Sequence, residues 1–493
     1  MPYGYNGKVL HVDLTAGKLE VEELEEAFYR TYLGGSGLGM AYALKLIPPG
    51  ADPLGPDNVL VISLGVTTGA PISGQSRATA TAKSPLSGAI GDAQAGGFWP
   101  AEAKGAGFDA YIIKGKAKEP VYLWVQDGEA ELRDAAHLWG KVTGEVQATI
   151  REELDDAKIE VLQCGPAGEM GVRFACIISM CNRAHGRSGM GAVMGSKNLK
   201  AIAVRGHQRP EVADGKALTS LARWGAQNFP ESDIYGMGVD GTADVLAYQN
   251  ESGGLPTRNW SSGVFEGYEA ITGAAMSNSI LKERDTCYAC VVRCKRVVET
   301  EWQGKEVLPQ YGGPEYETLA TFGSYCGVDD LAAVAYANQV CNMYGLDTIS
   351  CGATVAFAMD CFEQWTCWPK GRPGPVSASA RGRKTWSWPS RATTCRPTCR
   401  KSSAAWASST PSTRLAPTTS RQSTMAPTKG TLRPIRIAWA CWTCGRHSPR
   451  AAWAWKRSAT RPIPSNGTAC STASTSANSS MARPGSSTIP TSW

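Results

Sequence analysis

Three cysteines at Cys-x2-Cys-x3-Cys spacing stand in the stretch Arg284-Asp285-Thr286-Cys287-Tyr288-Ala289-Cys290-Val291-Val292-Arg293-Cys294. Spacing this short lets one tight loop present several thiolates to one iron–sulfur cluster. Soft sulfur donors select such clusters, zinc or copper(I). Zinc ribbons and fingers pair two short Cys/His units, and no matching pair follows closely here. The bland alternative is three cysteines packed in a helix as small buried hydrophobes. Cys287, Cys290 and Cys294 are therefore the candidate metal ligands.

The elements that must position this loop change in character along the chain. Residues 8–13 and 19–24 alternate across Thr15-Ala16-Gly17-Lys18 and read as a hairpin. Gly34-Gly35-Ser36-Gly37-Leu38-Gly39 then opens a helix through residue 47. No good apolar strand runs into it, which argues against a dinucleotide site. Its glycines let backbone approach a ligand or another segment. Strand-like runs follow at 59–64, 78–82, 110–114, 120–125, 159–163, 174–179 and 201–205, with one helix over 144–154. Asp127-Gly128 marks a turn between two strands. From Gly215 the period becomes helical, over 218–229, 314–326, 331–344 and 352–362. No internal repeat is visible. The expected organisation is a β-rich domain over 1–207 and the start of helical domains over 215–363.

Composition breaks at about residue 364. Residues 1–363 carry 30 Lys+Arg against 44 Asp+Glu, a net of −14, whereas 364–493 carry 20 basic residues and no acid. Ten of the sixteen tryptophans fall in that tail, and no hydrophobic period holds there. An abrupt, total loss of acids points to a shifted reading frame near codon 364, or to disorder, and the tail is not expected to fold natively. The sixteen cysteines do not form a secreted disulfide frame. The N-terminal residues lack a basic n-region and apolar core, and no run of about 18 apolar residues occurs. A cytoplasmic location with no membrane partner is expected.

Residues 7–362 resemble the tungsten-containing aldehyde ferredoxin oxidoreductase family. The resemblance rests on Gly34–Gly39, on Ser76-Arg77 with Ala82-Lys83-Ser84-Pro85-Leu86-Ser87-Gly88, and on Gln94-Ala95-Gly96-Gly97. It continues through Arg183-Ala184-His185-Gly186-Arg187-Ser188-Gly189 to Lys200, then the cysteine stretch, Gly313-Pro314-Glu315-Tyr316-Glu317-Thr318 and Asn342-Met343-Tyr344-Gly345-Leu346-Asp347.

The resemblance implies an α+β fold, with two β-sheets forming a base for the cofactor and mostly helical domains after them. It implies a tungsten (or molybdenum) bis-pterin, Mg2+ bridging the pterin phosphates, and a [4Fe–4S] cluster on Cys287, Cys290 and Cys294. Arg77, Gln94, Gly96, Arg183, Ala184 and Gly186 are implied to line the pterin site, with Asn342, Leu346 and Asp347 in a pterin-binding motif. Gln94 replaces the family's usual Asn, and Asn342 its leading Asp. Asp347 follows a helix end at Gly345, where the macrodipole disfavours an acid; that conflict favours function. Glu317 matches the glutamate near tungsten, and burial would raise its pKa for proton exchange. Tyr316 is placed to orient substrate. Glu315 and Glu317 cannot share a helix face. His185 either bonds a pterin or phosphate or simply packs.

The implied reaction takes an aldehyde and water to a carboxylate, passing electrons through the cluster to ferredoxin or electron-transfer subunits of an oligomer. The family's fourth cluster cysteine and its histidine beside the metal lie in C-terminal motifs that this sequence does not contain. Two alternatives stand beside this reading. One is the catalytic subunit of a class II aryl-CoA (benzoyl-CoA) reductase, and the other an inactive, truncated product. Nucleic-acid binding by the basic tail is not expected, because basic composition alone is a weak footprint.

Overall fold

The computed structural model of the chain describes residues 3–363. The tail from 364, with the frame-shift reading attached to it, lies outside the described residues. The first two hundred residues build two six-stranded sheets. The first takes β1 (Lys8–Asp13), β2 (Lys18–Glu23), β3 (Leu60–Leu64), β4 (Ala78–Lys83), β5 (Ile90–Ala95) and β6 (Ala110–Lys114), in the order β2-β1-β6-β3-β4-β5. The second takes β7 (Val121–Gln126), β8 (Glu129–Asp134), β9 (Glu160–Cys164), β10 (Ile177–Ser179), β11 (Arg183–His185) and β12 (Leu199–Arg205), in the order β11-β10-β9-β12-β7-β8.

These two sheets are the same motif twice. In each half a hairpin comes first and its leading strand pairs parallel with the last strand, β1 with β6 and β7 with β12. The other pairings are antiparallel. The helices Gly35–Leu46 and Thr143–Glu153 follow the two hairpins, and Trp99–Gly105 and Met190–Ser196 precede the two last strands. The repeat is one of topology, carried by dissimilar residues, so no repeat shows in the sequence itself.

Alternation along the strands explains the layers. Leu10, Ile62 and Tyr111 face Leu123, Leu162, Ile177 and Val204 across one core, which also takes in Trp99 and Val193 of the two inner helices. On the outer faces, Val9, Val61 and Ile112 meet Leu38 and Tyr42, while Tyr122, Val161 and Ala203 meet Val146 and Ile150. All five residues of β3 are buried, each large aliphatic contributing about 1.5–3 kcal/mol. The glycine-rich run serves this packing. A Cβ at Gly34 would stand 2.6 Å from the Leu64 carbonyl and one at Gly39 2.4 Å from Thr81 Oγ1. Its glycines admit another segment.

Residues 215–363 are largely helical, with two small hairpins. The helix expected over 314–326 is instead a short α turn (Tyr316–Thr318), a π-helical turn (Leu319–Gly323) and a 3-10 turn (Ser324–Cys326). Thr321 Oγ1 donates to the Glu317 carbonyl at 2.7 Å and Ser324 Oγ to the Ala320 carbonyl at 3.2 Å. Such back-bonding loosens the regular ladder. The last helix begins at Thr348 rather than 352, because Asp347 caps it. Asp347 Oδ1 accepts from the Ile349 N–H at 3.0 Å and Oδ2 from the Ser350 N–H at 3.2 Å. An acid at a helix start is favourable, so the supposed conflict at Asp347 does not exist. Among the described residues no helix is long and apolar enough to cross a membrane.

Candidate metal and cofactor site

β13 (Leu281–Asp285) and β14 (Lys295–Val298) pair antiparallel, with Asp285 opposite Lys295. The cysteine stretch is therefore the hairpin loop 286–294, and the helical alternative falls. The loop turns tightly because Ala289 and Arg293 hold left-handed φ values of 55° and 51°. Thr286 Oγ1 donates to the carbonyls of Cys287 (3.0 Å) and Cys290 (2.6 Å). All three cysteines are free and partly buried. Burial pushes the Cys294 thiol up, with Glu315, Cys287 and Cys290 adding to the rise, so the three sulfurs lie in one another's field. Among the described residues no three His, Cys, Asp or Glu side chains converge on a single ion. Cluster thiolates bind separate irons and stand further apart than the ligands of one ion.

The loop lies across the turn that leaves β5. The Tyr288 N–H donates to the Gly97 carbonyl at 3.2 Å, to which Ser76 Oγ also donates at 2.7 Å. The Val291 N–H donates to Ser73 Oγ at 3.1 Å. A Cβ at Gly96 would stand 2.8 Å from Cys287 Sγ and 3.7 Å from Arg77 Nη1. Gly97 has φ +108°, and its Cβ would stand 2.8 Å from Met180 Sδ. Arg183 reaches over from β11. Its Nη2 donates to Asp285 Oδ2 (3.1 Å) and the Thr286 carbonyl (2.9 Å), and its Nη1 to Asn182 Oδ1 (2.6 Å). Arg77, Gly96, Arg183 and Cys287 are thus one group. Arg183 commits its fork to the hairpin, whereas Arg77 is exposed.

The equivalent turn after β11 carries the second group, and β11 lies against β5. Ala184 is exposed, and Gly186 is half-buried with its Cβ position 3.9 Å from Asp347 Oδ1. Arg187 Nε stands 3.5 Å from Asp347 Oδ2. Burial pushes the Asp347 carboxyl up, against Ser350 and Arg187. Leu346 is buried and bridges to Ala175. His185 is 1% exposed, and neither ring nitrogen has a well-formed hydrogen bond within the described residues. Burial pushes its pKa down to about 4, so the ring is neutral at pH 7.

Other expected site residues sit apart. Gln94 Nε2 donates to Ser36 Oγ at 3.1 Å. Asn342 is buried, and its amide donates to the Tyr311 carbonyl at 2.8 Å. Tyr316 is half-buried and Glu317 exposed, so the burial expected to raise the Glu317 pKa is not found. The Glu317 turn does reach the second group, through Thr318 Oγ1 at 2.9 Å from Thr348 Oγ1. Sequence reasoning missed Lys295 and Arg187, because their partners Glu315 and Asp347 are distant in sequence and only the fold brings them together.

These residues fit a polar cofactor with anionic and hydrogen-bonding edges. Arg77 stands exposed beside Gly96, Ala184 and the half-buried Gly186 present backbone after β11, and the buried His185 ring has no well-formed side-chain partner among the described residues.

Comparison with known proteins bears on this arrangement. Residues 9–206 match the family model described as aldehyde ferredoxin oxidoreductase, N-terminal domain, and residues 220–366 that for its domains 2 and 3. A tungsten-containing aldehyde ferredoxin oxidoreductase of Pyrococcus abyssi is 42% identical over 367 residues, covering 73% of this chain and 59% of that protein. An aliphatic sulfonate oxidoreductase, WOR-like subunit, of Pyrococcus furiosus is 31% identical over 380 residues, covering 73% and 60%. Among solved structures, the active-site complex BamBC of benzoyl coenzyme A reductase with 1,5-dienoyl-CoA matches with a TM-score of 0.66 at 28% identity. That match covers 76% of this chain and 59% of the other. The chain spans about three-fifths of the length of these relatives.

Proposed function

The chain belongs to the aldehyde ferredoxin oxidoreductase family, and on that premise we propose that it is a tungsten-pterin oxidoreductase that converts aldehydes to carboxylates. The observation that carries this reading is the hairpin loop 286–294, laid across the first of two equivalent glycine turns with Cys287 against Gly96. In this reading residues 1–207 form the cofactor domain and 215–363 the start of the helical domains. The proposed cofactors are a tungsten (or molybdenum) bis-pterin, Mg2+ and a [4Fe–4S] cluster. When bound, the first supplies Lewis acidity and accepts two electrons, and the cluster relays them singly.

The chain's own residues then have definite tasks. Cys287, Cys290 and Cys294 would hold the cluster. Arg77, exposed beside Gly96, offers a fork to a phosphate. Ala184 and Gly186 would let pterin edges approach backbone, Gly96 would leave room for the Cys287 sulfur at the same site, and Asp347, with Leu346 buried behind it, would accept from pterin N–H groups. Arg183 fixes the hairpin. Glu317 takes a proton from water or from a substrate hydroxyl, and Tyr316 orients the substrate. Overall, aldehyde plus water gives carboxylate, two electrons and three protons, the electrons leaving to ferredoxin or an electron-transfer subunit.

The BamBC likeness favours one second reading, reduction of an aryl-CoA thioester. Substrate-dependent reduction of a viologen dye by the purified full chain tests the first reading. Dye reduction with aldehydes supports it. Reduced-dye oxidation with an aryl-CoA thioester, and none of the former, replaces it with the second.

A further inference from the structure

Lys295 follows the third cysteine directly and opens β14. Its side chain is 8% exposed. A buried ammonium costs several kcal/mol unless paired, so its partners are informative. Nζ stands 3.0 Å from Glu315 Oε1 and 3.4 Å from the Gly313 carbonyl. The other Glu315 oxygen accepts from Thr242 Oγ1, and Thr242 Oγ1 accepts from the Tyr316 N–H at 2.9 Å. The Glu315 carbonyl caps the same segment, accepting from the N–H groups of Thr318 (2.9 Å) and Leu319 (3.0 Å). An unbroken path therefore runs from Cys294 through Lys295, Glu315 and Thr242 to the backbone of Tyr316 and Glu317.

We propose that the Lys295–Glu315 pair is a positioning pair that couples the iron–sulfur loop to the segment carrying Glu317, setting the cluster's charge environment and the place of the proposed catalytic carboxylate together. The inference rests on the reading of Cys287, Cys290 and Cys294 as cluster ligands. Its physics is simple. Lys295 is the residue after Cys294, pairs across the hairpin with Asp285, and holds the Glu315 carboxylate at 3.0 Å. Cluster potentials respond to local charge. A cation beside the cluster favours the reduced, more negative state, and an anion opposes it. Arg183 and Arg296 also face this region, so the pair modulates a positive field.

The test is a redox titration of the full chain, following the reduced-cluster EPR signal, for the natural protein, Lys295→Gln, Glu315→Gln, the double variant and Lys295→Arg. Losing the cation is expected to lower the midpoint potential and losing the anion to raise it, with the double variant and Lys295→Arg near the natural value. In steady state, each single variant is expected to lower kcat more than it raises KM. A merely structural pair would move both single variants the same way, and that result overturns the coupling alone. A shift in Lys295→Arg matching that of Lys295→Gln also overturns it. Absence of iron from the natural chain overturns the cluster reading itself, and the coupling with it.

Discussion

Replacing Gly96 by alanine would set a methyl group 2.8 Å from Cys287 Sγ, roughly 1 Å inside the best van der Waals separation. Gly96 is not among the residues with positive φ, so the backbone accepts a side chain without strain. The conflict falls on the thiol. Overpacking of this kind costs about 1–3 kcal/mol, or roughly 5- to 150-fold in an equilibrium constant. A free thiol on a partly exposed loop can swing aside, whereas a thiol bound to iron cannot. The expected outcome is a protein with nearly natural thermal stability whose iron is stripped by a chelator at a concentration lower by that factor. Iron and acid-labile sulfide are measured along a chelator titration, beside a melting curve. Gly97→Ala is the contrast, because φ +108° and contact with Met180 Sδ make it lose stability itself. Natural iron retention in Gly96→Ala would refute the placing of Cys287 against this turn.

Three further outcomes follow from the geometry. Asp109→Asn leaves the Lys104 ammonium, 1% exposed like its partner, without its anion; a loss of about 3–5 kcal/mol is expected in urea unfolding, and a loss below about 1 kcal/mol would contradict it. Asp347→Ala removes the cap of the helix Thr348–Glu363 and should cost about 1 kcal/mol, while Asp347→Asn keeps most of that stability. His185 has a folded pKa near 4, below its ordinary 6.5. The unfolded chain therefore binds the extra proton between those values. The contribution of neutral His185 is complete above pH 6.5 and is lost as pH falls towards 4, by roughly 3 kcal/mol; His185→Phe should flatten that acid limb of the stability curve.

The sequence is most legible where burial is two-sided. β3 and β6 read as apolar runs because core covers both faces, and the helix Leu331–Tyr344 appears with the limits its period suggests. The strands at the site do not read that way. β5 is Ile-Gly-Asp-Ala-Gln-Ala and β11 only Arg-Ala-His; β5 alternates but with glycine and alanine on its buried face, and β11 is three residues long, so neither stands out as a strand. The duplication is hidden for a related reason: topology is kept while residues differ. The cysteine loop was legible from spacing, but its seat on Gly96 and Gly97 was not, since nothing local to residues 284–294 specifies β5. The exposure of Glu317 and the capping role of Asp347 depend on where neighbouring turns begin, and hydroxyl back-bonds decide that.

The most direct test of the account is metal analysis of the purified full chain, produced anaerobically with tungstate and iron supplied, together with its Cys287→Ser variant. Iron and tungsten are expected in stoichiometric amounts in the natural chain, with iron lost from the variant while the fold persists. A folded natural chain that holds neither metal would contradict it.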